Sequence, residues 1–305
     1  MSAAIKPQPA ISPVVWSMLL FLSLLWGASF FFARIAVQEV PPLMLVLMRV
    51  VIAAAALHLY LLAKGDWGKF MAQRFAPFIL LGLLNNAIPF SLLFIGQTEL
   101  GAGLAAVLNA LVPFWTVIGA NFLTSDEKFT AGKVTGILLG VTGAALIIGP
   151  SAITGLGAPL WAKFAVVSAG VSYALASIYA KRFKSVPPIV TAAGQLTASA
   201  LIMLPAAFLT HGIWSPLAVT PPVWLAVTAL ALASTSLAYI IFFKIIAASG
   251  ATVVSLFTLL VPVSAILLGT AFLGESLSLT ELSGMALIGL GLVIIDGRLA
   301  RRFRR

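Results

Sequence analysis

Cysteine is absent from this 305-residue chain, and charge is scarce, with Asp, Glu, Lys and Arg making up 9% of residues. Without cysteine there are no disulfides and no thiolate metal sites. An ordinary soluble domain is about 25% charged and about 45–50% apolar. Here 61% of residues are hydrophobic and the mean hydropathy is +1.13. A soluble fold of this length lacks the polar residues for a shell, whereas a bilayer solvates apolar side chains directly. The second scarcity is negative charge: eight acidic residues stand against 18 basic ones, for a net charge of +10. Every carboxylate (Glu39, Asp66, Glu99, Asp126, Glu127, Glu275, Glu281 and Asp296) maps to a loop or a span end. A carrier driven by protons or sodium commonly places a carboxylate at mid-membrane, so the pattern favours gradient-driven movement or coupling through another group. Metal-ligand spacings, nucleophile elbows and phosphate loops are missing, and no catalytic residue, metal or cofactor is expected.

What is present is long apolar runs. A spanning helix takes roughly 20 mostly apolar residues, and ten runs qualify: 14–37, 42–63, 75–96, 101–123, 131–148, 159–181, 188–209, 222–245, 250–273 and 279–296. The first is too long for a signal-peptide core and lacks a small-residue cleavage pattern, so it is expected to be retained. Pro41-Pro42, Pro187-Pro188 and Pro221-Pro222 open spans at positions where a missing N–H costs nothing. With the N-terminus inside, 15 of the 18 basic residues fall in cytoplasmic segments and the rest lie within spans or at their ends. That separation predicts an even span count with both termini cytoplasmic. A nucleic-acid groove would need those charges on one continuous surface, so nucleic acid is not an expected partner. Membrane lipid and a small-molecule substrate are.

The two halves resemble each other. Gly101-Ala102 and Leu111-Val112-Pro113 recur as Gly250-Ala251 and Leu260-Val261-Pro262 at a constant offset of 149. Gly136 and Gly143 match Gly284 and Gly291, Glu127 matches Glu275, and Pro41-Pro42 matches Pro187-Pro188, which sets Arg49 against Gln195. Residues 1–149 and 150–305 are therefore read as two units. Five spans is an odd number, so the second copy enters the membrane inverted. The expected fold is an all-α membrane protein of ten transmembrane helices in two inverted five-helix repeats around a central cavity, with substrate near the midplane.

Several residues make the similarity more specific. Leu25-Trp26-Gly27-Ala28-Ser29-Phe30, the Val-Pro pairs at 112–113 and 261–262, Phe272-Leu273-Gly274-Glu275 and the glycine-spaced last span of each half resemble the drug/metabolite transporter superfamily in its EamA-type form. The first half departs from that pattern, reading Thr124-Ser125-Asp126-Glu127 where the family usually has Leu-Gly-Glu. The resemblance covers nearly the whole chain and is nearest to YddG-type exporters of aromatic amino acids. It implies a monomeric exporter of amino acids and related metabolites in the bacterial inner membrane, working by alternating access. A broad-specificity drug or metabolite exporter is the alternative, and a non-transporting polytopic protein is the rival from another class.

Polar groups inside spans are costly and usually face the bundle interior or a wet cavity. Arg49 reads either as an interhelical donor to carbonyls near the outer end of its span or as a fixed charge facing the cavity and attracting a carboxylate. Arg34 and Lys163 are expected to snorkel, and His58 to pack between helices. Asn85-Asn86, followed by Pro89, are expected at the cavity. So are Asn109, one turn before Pro113, and Thr258 in the matching place before Pro262. Ser234 and Tyr239 in the eighth span and Tyr173 in the sixth join the candidate substrate-binding set. Trp26 and Trp115, deep in their spans, are candidates for an aromatic slot together with Phe90, Phe94 and Phe257. Pro113 and Pro262 are the expected hinges. The predicted site is neutral to slightly positive and largely apolar, lined mainly by the first, third, fourth, sixth, eighth and ninth spans.

Overall fold

The computed structural model describes residues 12–124, 129–154, 157–212, 214–249 and 257–296, with backbone alone at 149–154, 218, 246–249, 257–259 and 296. Each apolar run found in the sequence is helical over most of its described part. The helices are α1 (Pro13–Ala36), α2 (Pro42–Ala63), α3 (Ala76–Gln97), α4 (Ala102–Leu123), α5 (Ala131–Thr154), α6 (Leu160–Ala180), α7 (Pro188–His211), α8 (221–249), α9 (Phe257–Leu273) and α10 (Leu279–Asp296). Eight of them are long and apolar enough to cross a membrane, and two shorter apolar helices, Leu260–Leu273 and Leu279–Ile295, complete the bundle. Among the described residues there is no strand.

The boundaries follow local chemistry. At the start of α1, the Ser12 hydroxyl accepts the Val15 N–H at 3.3 Å and Pro13 fills the first turn, where an N–H has no helical acceptor. Pro42, Pro188 and Pro221 open α2, α7 and α8 in the same way. At the end of α9, Gly274 takes φ +65°, a left-handed turn that glycine adopts without steric cost and that sends Glu275 back toward the bundle.

Three helices are irregular where their polar residues cluster. In α3, Leu83–Ala87 forms a π-helical turn holding Asn85 and Asn86 just before Pro89, whose missing N–H cannot bond the carbonyl at position 85. In α8, the Leu232–Leu237 turn is also π-helical. There the Thr235 and Ser236 hydroxyls bond the carbonyls of Leu230 and Ala231, five residues back, at 2.8 and 3.1 Å. The first segment of α4 ends at Asn109 and the second starts at Val112, just ahead of Pro113. By contrast, α9 runs helical through Pro262.

α5 and α10 pack antiparallel along their glycines. A Cβ on Gly143 would lie 2.5 Å from the Gly284 carbonyl oxygen, and one on Gly284 would lie 2.6 Å from that of Gly143. Gly136 and Gly291 make the same reciprocal contact at 2.7 and 2.6 Å. Neither helix borders the central cavity, which α1–α4 and α6–α9 enclose. The sequence reading omitted α2 and α7 from that wall, where they contribute Arg49 and Gln195.

The connections fall at two ends. One end carries Lys64, Lys69, Arg74, Lys181, Arg182 and Lys184 and is called the basic end. The other carries Glu39, Glu99, Glu275 and Glu281 and is called the acidic end. Side-chain bonds tie the acidic end shut. Glu39 accepts the Thr220 N–H at 2.7 Å and its hydroxyl at 2.8 Å, where α8 begins. Arg34 donates to the carbonyls of Gln97 and Thr98 at 2.6 and 2.8 Å, and the Gln97 amide donates to the Phe30 carbonyl at 2.8 Å. Snorkelling therefore does not describe Arg34. Nor does it describe Lys163, which is buried with its ammonium 2.9 Å from the Ile147 carbonyl. In each case a carbonyl inside the protein is the nearer partner.

Candidate functional site

A cavity of about 770 Å³ runs through the bundle from Phe30 and Gln97 to Lys184 and Val186 in the α6–α7 connection. It therefore approaches the basic end and stops short of the acidic end. A separate depression of about 810 Å³ at the acidic end is lined by Arg34, Glu39, Gly101, Glu275 and Glu281, among others. The Arg34–Gln97 contact lies between the two.

Arg49 sits on the buried stripe of α2, spaced four residues from Leu45 and from Ala53, with Leu57 one further turn on. That helical periodicity turns the guanidinium inward. It is 5% exposed, its Nε donates to the Thr235 hydroxyl at 3.0 Å, and it lies over the Phe90 ring with 3.7 Å to the centroid. The acceptor is a side chain of the α8 π-helical turn, not the outer-end carbonyls that were one expectation for this residue. A guanidinium stacked on a ring face and bonded through Nε keeps its two Nη groups for a further acceptor. Among the described residues, no Asp or Glu borders the cavity, and the Lys69–Asp66 ion pair, at 2.7 Å, lies at the basic end.

The other polar groups converge on this point. The Asn85 amide donates to the Gln195 side-chain carbonyl at 2.8 Å, and the Tyr239 hydroxyl adjoins both amides. Tyr173, Asn109 and Ser234 also line the cavity, as do Pro113 and Pro262. The apolar wall is aromatic: Trp26 meets Phe242 at 5.4 Å between centroids, Tyr239 stacks on Phe243 at 6.2 Å, and Phe90 stacks on Phe94 at 6.2 Å.

Two residues expected in the site are placed elsewhere. Asn86, fully buried, donates to the Ser199 hydroxyl at 3.1 Å and joins α3 to α7. Adjacent helical residues point about 100° apart, so only one of the Asn85-Asn86 pair faces the cavity. Trp115 packs α4 against α6, where a Cβ on Gly170 would lie 3.2 Å from its indole ring. The side chains of Thr258 and Phe257 lie outside those described. His58 bonds Thr197 at 2.9 Å and meets Phe70 edge-on, between helices as expected. Gln97, Phe242 and Phe243 were not singled out from the sequence. Gln97 sits at a span end, where a polar residue draws no attention, and the two phenylalanines are hidden among twenty.

Apolar helices of membrane-spanning length around an internal chamber with one buried cation and an aromatic wall make this a multi-pass membrane protein with a solute-sized site. The chain belongs to the EamA-like transporter family, which it matches over residues 14–149 and 160–296. It is 29% identical to the uncharacterized transporter YvbV of Bacillus subtilis, over 92% of this chain and 90% of that protein. It is 26% identical to the S-adenosylmethionine/S-adenosylhomocysteine transporter of Chlamydia trachomatis, over 85% of this chain and 82% of that one. A solved crystal structure shares the fold with a TM-score of 0.66, covering 93% of this chain and 97% of that chain at 22% identity.

Proposed function

We propose that the protein exports apolar and aromatic amino acids and related metabolites across the bacterial inner membrane by alternating access. The observation that carries this is Arg49, a buried guanidinium on an aromatic cavity wall with no carboxylate beside it. An uncompensated buried charge costs several kcal/mol, and a substrate carboxylate in bidentate contact relieves that cost. A phosphorylated sugar would call for several basic groups at that depth. The aromatic rings suit a flat or bulky apolar side chain.

The architecture we assign is ten spans in two inverted repeats, residues 1–149 and 150–305, acting as a monomer with both termini cytoplasmic. Three features support it: the sequence offset, the π-helical turns in the third helix of each half, and the reciprocal glycine contacts between the last helices of the halves. In this arrangement the basic end faces the cytoplasm, so the cavity approaches the inside and the acidic end is the closed gate. Pro113 and Pro262 serve as hinges. Among the described residues no carboxylate borders the cavity, which favours movement down the substrate gradient or coupling through another group.

A second reading is a carrier of larger metabolites with an amino-acid head group. The cavity volume and the Chlamydia relative favour it. Reconstitution into liposomes with labelled amino acids tests the main reading. Phenylalanine, tryptophan or leucine should equilibrate faster than through empty liposomes, with an uncoupler making no difference. Should no amino acid move faster than the empty-liposome control, the reading fails.

A further inference from the structure

We infer that the break in α4 is the subsite for the substrate's ammonium, whose three N–H groups are taken by the Asn109 side-chain oxygen and the backbone carbonyls of Asn109 and Ala110. This rests on the preceding section's amino-acid reading, with the carboxylate at Arg49.

The first segment of α4 is a half-helix of eight residues, Ala102–Asn109, that ends inside the bundle. The last carbonyls of a helix have no partner within it, and here the chain beyond does not supply one. Pro113 has no N–H to offer the Asn109 carbonyl. The Phe114 N–H bonds the Leu111 carbonyl at 3.0 Å, one residue nearer than the α-helical pattern, which passes over the Ala110 carbonyl. The Asn109 side-chain oxygen is buried and makes no hydrogen bond. Asn109 and Ala110 both line the cavity. Three acceptors on adjacent residues thus lack donors, and an ammonium brings three donors. The C-terminal end of a half-helix also carries partial negative charge, the feature that holds cations in broken-helix transporters. Among the described residues no Asp or Glu borders the cavity, so dipoles of this kind have to compensate an ammonium that leaves water.

The position fits as well. The two charged groups of an α-amino acid hang on one carbon, so their subsites share one depth. Arg49 lies seven residues beyond Pro42 at the start of α2, and Asn109 seven residues beyond Ala102 at the start of α4. Both helices start at the acidic end, and at 1.5 Å per residue both side chains leave the backbone about 10 Å below it. α2 packs on α3, α7 and α8, whereas the first segment of α4 packs on α1, α3, α6 and α9. The two residues therefore stand on different walls, on either side of α3. An ammonium held at α4 is drawn away from the guanidinium that holds the carboxylate.

Phenylalanine, 3-phenylpropanoate and 3-phenyllactate share a ring and a carboxylate, and only the first carries an ammonium. Competition against tracer levels of labelled phenylalanine in counterflow gives the half-inhibiting concentration of each. Hydrogen bonds from a charged donor are worth about tenfold or more in affinity, so phenylalanine is expected to half-inhibit at a concentration lower than either analogue by about that factor. Asn109→Ala should shrink the difference to about threefold. Pro113→Ala, whose new N–H can bond the Asn109 carbonyl, should shrink it too. A merely structural role for the break would weaken all three ligands together and leave the ratio unchanged. If either variant is inactive, ligand-induced shifts of its thermal midpoint read the same ratio.

Equal potency of the three ligands on the wild type would overturn the inference and leave the amino-acid reading standing, as would an unchanged ratio in both variants. Failure of the wild type to move any amino acid would defeat that reading and the inference with it. The same acceptors suit a monovalent metal ion, so the assay is repeated with N-methylglucamine in place of sodium and potassium. Uptake and ratio are expected to stay the same, and loss of either would assign the break to the metal ion instead.

Discussion

The carboxylate of Glu275 accepts the backbone N–H of Ala102 at 2.7 Å and that of Gly103 at 3.0 Å, capping α4 from a loop 173 residues away. Glycines at 101 and 269 leave room for it, since a Cβ would lie 2.7 Å from the carboxyl carbon on Gly101 and 3.0 Å from it on Gly269. The charge also suits the positive end of the α4 helix dipole. Because α4 carries Asn109 and Pro113 into the cavity wall, this cap joins the acidic end to the site.

If the acidic end is the gate, Glu275→Ala should loosen it. Losing an N-cap side chain costs about 1 kcal/mol, roughly fivefold in the ratio of open to closed states. The chain has no native cysteine, so a single Leu104→Cys reporter gives an unambiguous signal. Its labelling by an impermeant maleimide should rise several-fold with Glu275→Ala and less with Glu275→Gln. Unchanged labelling in both variants would remove Glu275 from the gate.

Arg49 should be intolerant even of lysine. Arg49→Lys keeps the charge but loses the planar fork and the stack on Phe90, and should lower transport efficiency by about tenfold or more. Arg49→Gln should reduce it to background. Counterflow kinetics with expression checked in membranes decides this, and wild-type rates in Arg49→Gln would refute the anchor.

The adjacent asparagines should behave differently. Asn85→Ala opens the contact with Gln195 in the cavity and should impair transport with little loss of stability. Asn86→Ala removes a buried hydrogen bond between α3 and α7, worth about 0.5–1.5 kcal/mol, and should lower the melting temperature more than the transport rate. Parallel thermal and transport measurements on both variants test the contrast, and equal behaviour would contradict it.

Gly143→Ala should destabilise the α5–α10 pair, because its Cβ would meet the Gly284 carbonyl at 2.5 Å. Overpacking of this kind costs about 1–3 kcal/mol, so the thermal midpoint in detergent should fall. Gly289→Ala, which has open space around it, is the matched control and should leave the midpoint unchanged.

Helix positions were legible in the sequence because lipid imposes the same requirement on every span, namely an uninterrupted apolar run of sufficient length with its backbone bonded internally. Proline pairs marked helix starts for an equally local reason. Arg49, Asn85, Asn109, Tyr173, Ser234 and Tyr239 stood out as candidates because a polar group within an apolar run needs a partner. Which partner was not legible. Nothing local distinguishes Asn85 from Asn86, since their separation depends on the turn of α3 and on where α7 lies. Trp115 likewise appeared suited to an aromatic slot, but Gly170 on another helix gives it a packing niche.

The amino-acid sequence by itself determined that this is a multi-pass helical membrane protein, where its helices begin and end, and that every carboxylate falls in a loop or at a span end while Arg49 lies well within a span. Those properties depend on composition, period and local bonding. Tertiary structure decided that Arg49 lies against Phe90 and Thr235, that Asn86 bonds Ser199 of α7, and that Glu275 closes onto α4. Each of these joins residues from different helices, and their packing depends on shape and on glycine contacts that no single span encodes.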